Sequence, residues 1–218
     1  MIVSHRGPVN AAIASGRAPN PGPEIAAFGM TFPNRQDGWD CLAEAATEAR
    51  AIAQFFGAEP ILDRDASVER VLEAFRTSRR VHIASHGRHN AEAPAFQCVI
   101  LHGADSTRPL SAFELQGMDF TGLDLVSLSA CETSLGRVDL MDNLRGLSTT
   151  LFMAGARTIV GTLWPIDTNA AELFFTEFYR AISSGDRKLA AFGAAQQLTR
   201  ARFPTYRDWG AMYLSGTW

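Results

Sequence analysis

The sequence predicts an α/β chain built on a largely parallel sheet with helices on both faces. Three observations carry that reading. Short apolar runs recur near residues 25–32, 81–84, 123–128 and 158–163, each bounded by glycine, proline or small polar residues, as buried strands are. Amphipathic stretches of helical period separate most of them, and strand–helix alternation of this kind builds parallel sheets. Two of the runs end in chemistry: Val81–Ala84 runs into Ser85-His86-Gly87, and the run ending at Leu128 continues Ser-Ala-Cys131-Glu132-Thr.

In chain order, residues 1–23 hold Gly7-Pro8, Gly16, Pro19, Pro21, Gly22 and Pro23, and read as an irregular lead-in or linker before a domain over 24–218. Ile25 to Phe32 is the first strand, and a loop follows to Asp40. Leu42, Ala45, Ala46, Ala49, Ile52, Ala53 and Phe56 fall on one helical face, with Asp40 as the expected cap and Gly57 as the stop. Pro60–Leu62 is a short strand, and Ser67 caps a helix whose face is Val68, Val71, Leu72 and Phe75. Residues 88–94 read as a loop. Gln97–His102 is a strand, Gly103 to Pro109 a turn, and together they read as a small hairpin. After the Cys131 strand come a polar loop over 132–143 and a helix lined by Leu144, Leu147, Leu151 and Ala154, stopped by Gly155. The Thr158–Leu163 strand, helices near 169–184 and 187–201, and a last strand at Ala211–Leu214 complete the chain.

The net charge of -3 gives no reason to expect a nucleic-acid or membrane surface, and no apolar run is long enough to cross a bilayer. Cys41, Cys98 and Cys131 are odd in number and irregularly spaced, which argues against a disulfide framework and for a reducing, cytoplasmic setting. Lys188 is the one lysine among 20 cationic residues, an arginine bias that with the many alanines points to GC-rich codons and a bacterial source. The phosphate loops G-x-x-x-x-G-K-[ST] and G-x-G-x-x-G are both absent, so no nucleotide cofactor is expected.

A cysteine at the carboxyl end of a buried strand sits where α/β sheets place their crevices. If the His86 and Cys131 strands are neighbours, a base stands beside a thiol, which is how a thiolate nucleophile is generated. The alternatives are a buried structural cysteine and a loop histidine. Gly87 and Cys131 offer backbone N–H groups for an oxyanion, and Gly87 lets a substrate approach closely. His82 reads as a core histidine bonded to backbone, and His89 as a solvated loop residue. A zinc site on His82, His86 and His89 has poor geometry, because same-face residues on a strand spread apart.

Three blocks in order resemble the CHAT domain family: His-Ile-Ala-Ser-His-Gly at 82–87, Leu-Ser-Ala-Cys-Glu-Thr at 128–133 and Ala-Gly-Ala-Arg-Thr-Ile-Val-Gly-Thr-Leu-Trp at 154–164. The Leu-Ala-Glu-Ala-Ala-Thr-Glu-Ala-Arg helix and the closing Trp209 to Gly216 also fit. His86 and Cys131 are 45 residues apart, near the roughly 50 of caspases. Ser129 replaces the caspase glutamine and Glu-Thr follows the cysteine, so the chain resembles CHAT proteins more than caspases proper.

That resemblance implies a caspase-like, three-layer α/β/α sandwich around a six-stranded, mostly parallel sheet. It implies peptide-bond hydrolysis by the Cys131–His86 dyad without a metal or cofactor, on a protein or peptide substrate. CHAT domains often follow helical repeats, so a regulatory partner or a fused repeat region is expected. In this clan the region after the fifth strand walls the S1 pocket, which makes Leu163, Trp164 and Asp167 groove candidates, an acidic residue there suiting Arg or Lys at P1. Asp167 could equally cap the next helix. Asp37, Asp40 and Glu132 are further S1 candidates, while Arg88 or Arg137 could supply the cation of an aspartate pocket. Two rival readings are a catalytically latent CHAT module that docks partners and a thiol enzyme of another class, such as an acyl transferase.

Overall fold

The structure, a computed structural model, describes residues 2–3, 18–90, 92–130 and 146–218. Among these, the strands are β1 (Ile2–Val3), β2 (Ala26–Gly29), β3 (Ile61–Leu62), β4 (Arg80–Ala84), β5 (Gly87–Arg88), β6 (Cys98–His102), β7 (Thr107–Ser111), β8 (Leu125–Ser129), β9 (Thr158–Thr162) and β10 (Met212–Gly216). The helices are α1 (Ala43–Phe55), α2 (Val68–Thr77), α3 (Leu147–Met153), α4 (Thr168–Ser183), α5 (Lys188–Arg202) and the short α6 (Tyr206–Trp209). The loop expected over 132–143 and the place of Leu144 fall outside the described residues.

Six strands form the main sheet in the order β10-β9-β8-β4-β2-β3, and β1 extends it beyond β10. All neighbours run parallel except β10 against β9. This is the caspase-like, mostly parallel architecture the resemblance implies. Side chains alternate along each strand and so feed two cores. Ala26, Phe28, Val81, Ile83, Val126 and Leu128 pack with α2 and α3, while Ile25, Ala27, Leu125 and Val160 pack with α1, α4 and α5. The lead-in takes part in the fold: β1 pairs with β10, and Asn20 bonds the Gly122 carbonyl through its N–H and the Ser78 carbonyl through its amide.

The structure refines several local expectations. Asp40 does not cap α1. The cap position is Leu42, whose N–H is held by the Thr31 carbonyl. Ser67 does cap α2, accepting from the Arg70 N–H. Gly57 and Gly155 follow their helices at φ 64 and 111, a left-handed backbone that ends a helix at little cost to glycine. The expected hairpin is β6–β7, with Pro109 inside β7; β7 is an edge strand, where a missing N–H is tolerated. Arg88, expected in a loop, instead joins Gly87 in β5, which makes a second, three-stranded sheet with β6 and β7. No helix among the described residues is long and apolar enough to cross a membrane.

Candidate active site

Strands β4 and β8 are adjacent and parallel, with Ala84 opposite Ser129 and the Ser85 N–H bonded to the Ser129 carbonyl. His86 and Cys131 each follow that pair by two residues in sequence. Cys131, Glu132 and Arg137 lie outside the described residues. Ala130, which precedes the cysteine, lines a cavity of about 100 Å³ together with His86, Ser85 and Ser129. Thr162 at the end of β9 joins that lining, and its hydroxyl donates to the Ala130 carbonyl at 3.2 Å. Leu42, Glu44, Ala45 and Glu48 of the α1 region and Ile166, Thr168 and Ala171 around the start of α4 form the remaining wall.

His86 is half-buried and its Nε2 lies 2.8 Å from the Asp40 carbonyl oxygen. A carbonyl only accepts, so Nε2 carries a proton in this contact. In the neutral ring that leaves the lone pair on Nδ1, the atom free to act as a base. The imidazole stacks on Trp39 at 5.3 Å and meets Phe32 at 4.7 Å. Asp40 thus serves the site through its backbone. Its carboxylate pairs with Arg35 at 3.0 Å and is exposed.

Gly87 stands opposite Val99 in the β5–β6 ladder. The Ile100 N–H is bonded to the His86 carbonyl, which makes Gly87–Val99 a non-bonded antiparallel pair and turns the Gly87 N–H away from β6. That donor, one residue after His86, is aimed off the free edge of the small sheet.

Beneath the cavity runs a buried polar network that the sequence reading missed. His82 is not bonded to backbone: Nδ1 pairs with the Ser127 hydroxyl at 2.7 Å, and Nε2 stands 2.8 Å from Glu48 Oε1, off the line of a straight hydrogen bond. Ser127 continues to the Tyr179 hydroxyl at 2.6 Å, and the Ser129 hydroxyl donates to Glu48 Oε2 at 3.1 Å. Burial pushes the Tyr179 phenol well above its ordinary range. The signal for Glu48 was present in the sequence as a charge inside the alanine-rich stripe of α1. Nearby, the Glu172 carboxyl is raised by partial burial and then by repulsion from Glu48 and Glu44. Glu44 and Glu48 are the acids in an otherwise mostly apolar lining, and Glu172 stands near them.

Of the described S1 candidates, Asp37, Asp40, Leu163, Trp164 and Asp167 do not line the cavity beside His86. Asp167 is exposed and its carboxylate caps α4, accepting from the Asn169 N–H at 2.9 Å, while its neighbours Ile166 and Thr168 face the cavity. This is the helix-capping placement given as the alternative for Asp167, in which the carboxylate turns toward the helix amides. Asp37 is also exposed and accepts from the Thr107 N–H at 2.6 Å. Along 163–165 the Leu163 N–H is held by the Ala211 carbonyl, and the Pro165 carbonyl accepts from Arg207. Trp164 donates its indole N–H to the Arg207 carbonyl at 2.7 Å. Arg88 lies over the Trp39 ring at 5.3 Å. His89, expected in solvent, is half-buried with a Nδ1 that has no hydrogen-bond partner. Among the described residues no group of three or more His, Cys, Asp or Glu side chains is placed to hold a metal ion.

The chain matches the CHAT domain over residues 6–217. It is similar to tetratricopeptide repeat protein 28 of mouse, 23% identical over 214 residues, and of human, 22% identical over 224 residues. Each match covers 82% of this chain and 9% of the relative, so the chain spans about a tenth of those proteins. Among solved structures it is similar to the Arg-specific cysteine proteinase gingipain R, at TM-score 0.61 and 10% identity over 88% of this chain and 45% of that one. The complex of Porphyromonas gingivalis RgpB pro- and mature domains matches at TM-score 0.63 and 10% identity, over 95% and 51%. At such identities the likeness speaks for the fold, a caspase-like cysteine peptidase fold. With nearly its whole length matched, the chain belongs to the CHAT domain family.

Proposed function

We propose that this domain is a cysteine endopeptidase that cleaves after Arg or Lys, with Cys131 as nucleophile and His86 as base. The observation that carries the reading is the parallel register of β4 and β8, with His86 held in the Nε2–H form. Nδ1 takes the thiol proton, and the thiolate adds to the scissile carbonyl carbon. The Gly87 N–H and the N–H of Cys131 hold the resulting oxyanion. The imidazolium then returns its proton to the leaving amine as the C–N bond breaks. Water, deprotonated by Nδ1, hydrolyses the thioester and frees the thiol.

The basic P1 preference finds its support in Glu44 and Glu48, which line the cavity, with Glu172 close enough to feel their charge. A guanidinium entering there meets charge-assisted acceptors, and an acidic side chain meets like charge. The gingipain likeness points the same way. Regulation by a partner or by adjoining helical repeats is supported by the repeat proteins among the relatives.

The test is a set of fluorogenic peptides differing only at P1, with Arg, Asp and citrulline, assayed on native protein and on Glu44→Gln. Arg should be cleaved fastest and citrulline, its neutral isostere, slowly, with the gap narrowed in Glu44→Gln. Faster cleavage after Asp would refute the basic preference. Absence of cleavage at any P1 would favour a latent docking module.

A further inference from the structure

A single hydrogen bond fixes one corner of an imidazole but leaves the ring free to turn about that bond. His86 has such a bond, from Nε2 to the Asp40 carbonyl. What sets the plane of the ring is Trp39, stacked at 5.3 Å with 24° between the planes, and Phe32, tilted at 50°. Trp39 is itself fixed. Its N–H bonds the Gln36 carbonyl at 3.0 Å, and the Arg88 guanidinium lies over its ring. Arg88 belongs to β5, one residue past Gly87, so the brace links the base, its flanking strand and the 32–40 loop.

The loop is not a relaxed one. Phe32, Asn34, Arg35 and Asp37 adopt φ of 50, 56, 57 and 53, a region L-residues seldom occupy and that costs on the order of 1–3 kcal/mol apiece. Side-chain ties hold it in shape. Asp63 accepts from the Thr31 N–H at 2.8 Å and from its hydroxyl at 2.7 Å, and Asp37 accepts from the hairpin N–H of Thr107.

We propose that Trp39 is a positioning residue for the base, holding the His86 ring in the plane that keeps Nε2 on the Asp40 carbonyl and Nδ1 free. The inference rests on the reading of His86 as the base. It requires that an aromatic plane at position 39, and not merely bulk, sustains the reaction.

The test compares Trp39→Leu, Trp39→Phe and native protein by two readouts. The first is turnover of the P1-Arg peptide. In Trp39→Leu, kcat should fall on the order of 10- to 100-fold while KM stays within about twofold, and Trp39→Phe should recover most of the loss. The second is the imidazole nitrogen spectrum of His86, assigned by comparison with His86→Gln. Native protein and Trp39→Phe should show one Nε2–H tautomer, and Trp39→Leu an averaged signal. A Trp39→Leu protein that keeps native kcat and a single Nε2–H signal would overturn the proposal. If no form of the protein cleaves peptide, the peptidase reading fails, and the spectrum still decides for or against Trp39. Should the leucine variant misfold, a phenylalanine variant with an averaged signal overturns the proposal as well.

Discussion

At the residue scale the crowding of Glu172 by Glu48 and Glu44 has a consequence for stability. Partial burial, then Glu48 and Glu44, raise the Glu172 carboxyl above its ordinary value near 4.5. Between that value and the raised one the folded chain keeps a proton that the unfolded chain has released. Stability therefore falls as pH rises through this interval, and at neutral pH the fold carries the full penalty of a disfavoured charge. Glu172→Gln, which imitates the protonated carboxyl, should raise Tm at neutral pH. The gain should vanish below the ordinary carboxylate range, where both states are protonated. A neutral-pH Tm that is unchanged or lower would contradict the charge crowding. The buried residues His82 and Glu48 show the limits of reading single positions: the sequence places His82 inside a strand, where it reads as a core histidine, and Glu48 in an apolar stripe, where it was not singled out. It did not reveal that they meet, because the meeting depends on α1 crossing β4.

The elements around the site were mostly legible. Long periodic segments such as α4 and α5 fall close to their expected spans, because apolar spacing over four turns leaves little choice. Among the short pieces, the strand expected at Pro60–Leu62 is present as β3, but β5 was not foreseen. β5 is two residues long and exists only because β6 offers it a partner, so nothing in Gly87-Arg88 alone announces a strand. Likewise the 32–40 loop owes its shape to ties from Asp63 and the β6–β7 hairpin, which no local pattern encodes. One close approach at this scale is testable. A Cβ at Gly29 would stand 2.5 Å from the Ala45 carbonyl oxygen and 3.0 Å from Leu62, wedging α1 from β2 beside the cavity wall. Gly29→Ala should cost about 1–3 kcal/mol, the range for overpacking, and should slow P1-Arg turnover. Denaturant unfolding with an unchanged midpoint would show that α1 yields freely.

For the whole molecule, the resemblance and the fold agree, and the site is half legible. The β4–β8 register and the backbone of Gly87 suit the sequence reading of a base and an oxyanion donor, whereas Asp167, Asp37 and Asp40 lie off the cavity beside His86, which Glu44 and Glu48 line. Asp167 stood at the right place in the chain, but an acidic residue immediately before a helix is drawn to the helix amides, and spacing cannot separate that from pocket duty. The bacterial source read from arginine usage rests on composition alone, and the relatives described above are from mouse and human. The central claim, a thiolate nucleophile at 131 served by His86, also predicts how the three cysteines differ. Burial pushes the Cys98 thiol up, with Arg88 opposing in part, so it should resist modification in the folded chain. Cys41 is exposed. The most direct measurement is mass mapping after treatment with a peptidyl-arginine acyloxymethyl ketone, on native protein and on His86→Ala. The account predicts a single adduct on Cys131 in native protein and little or none in His86→Ala. An unmodified Cys131, an adduct on Cys41 instead, or equal labelling without His86 would contradict it.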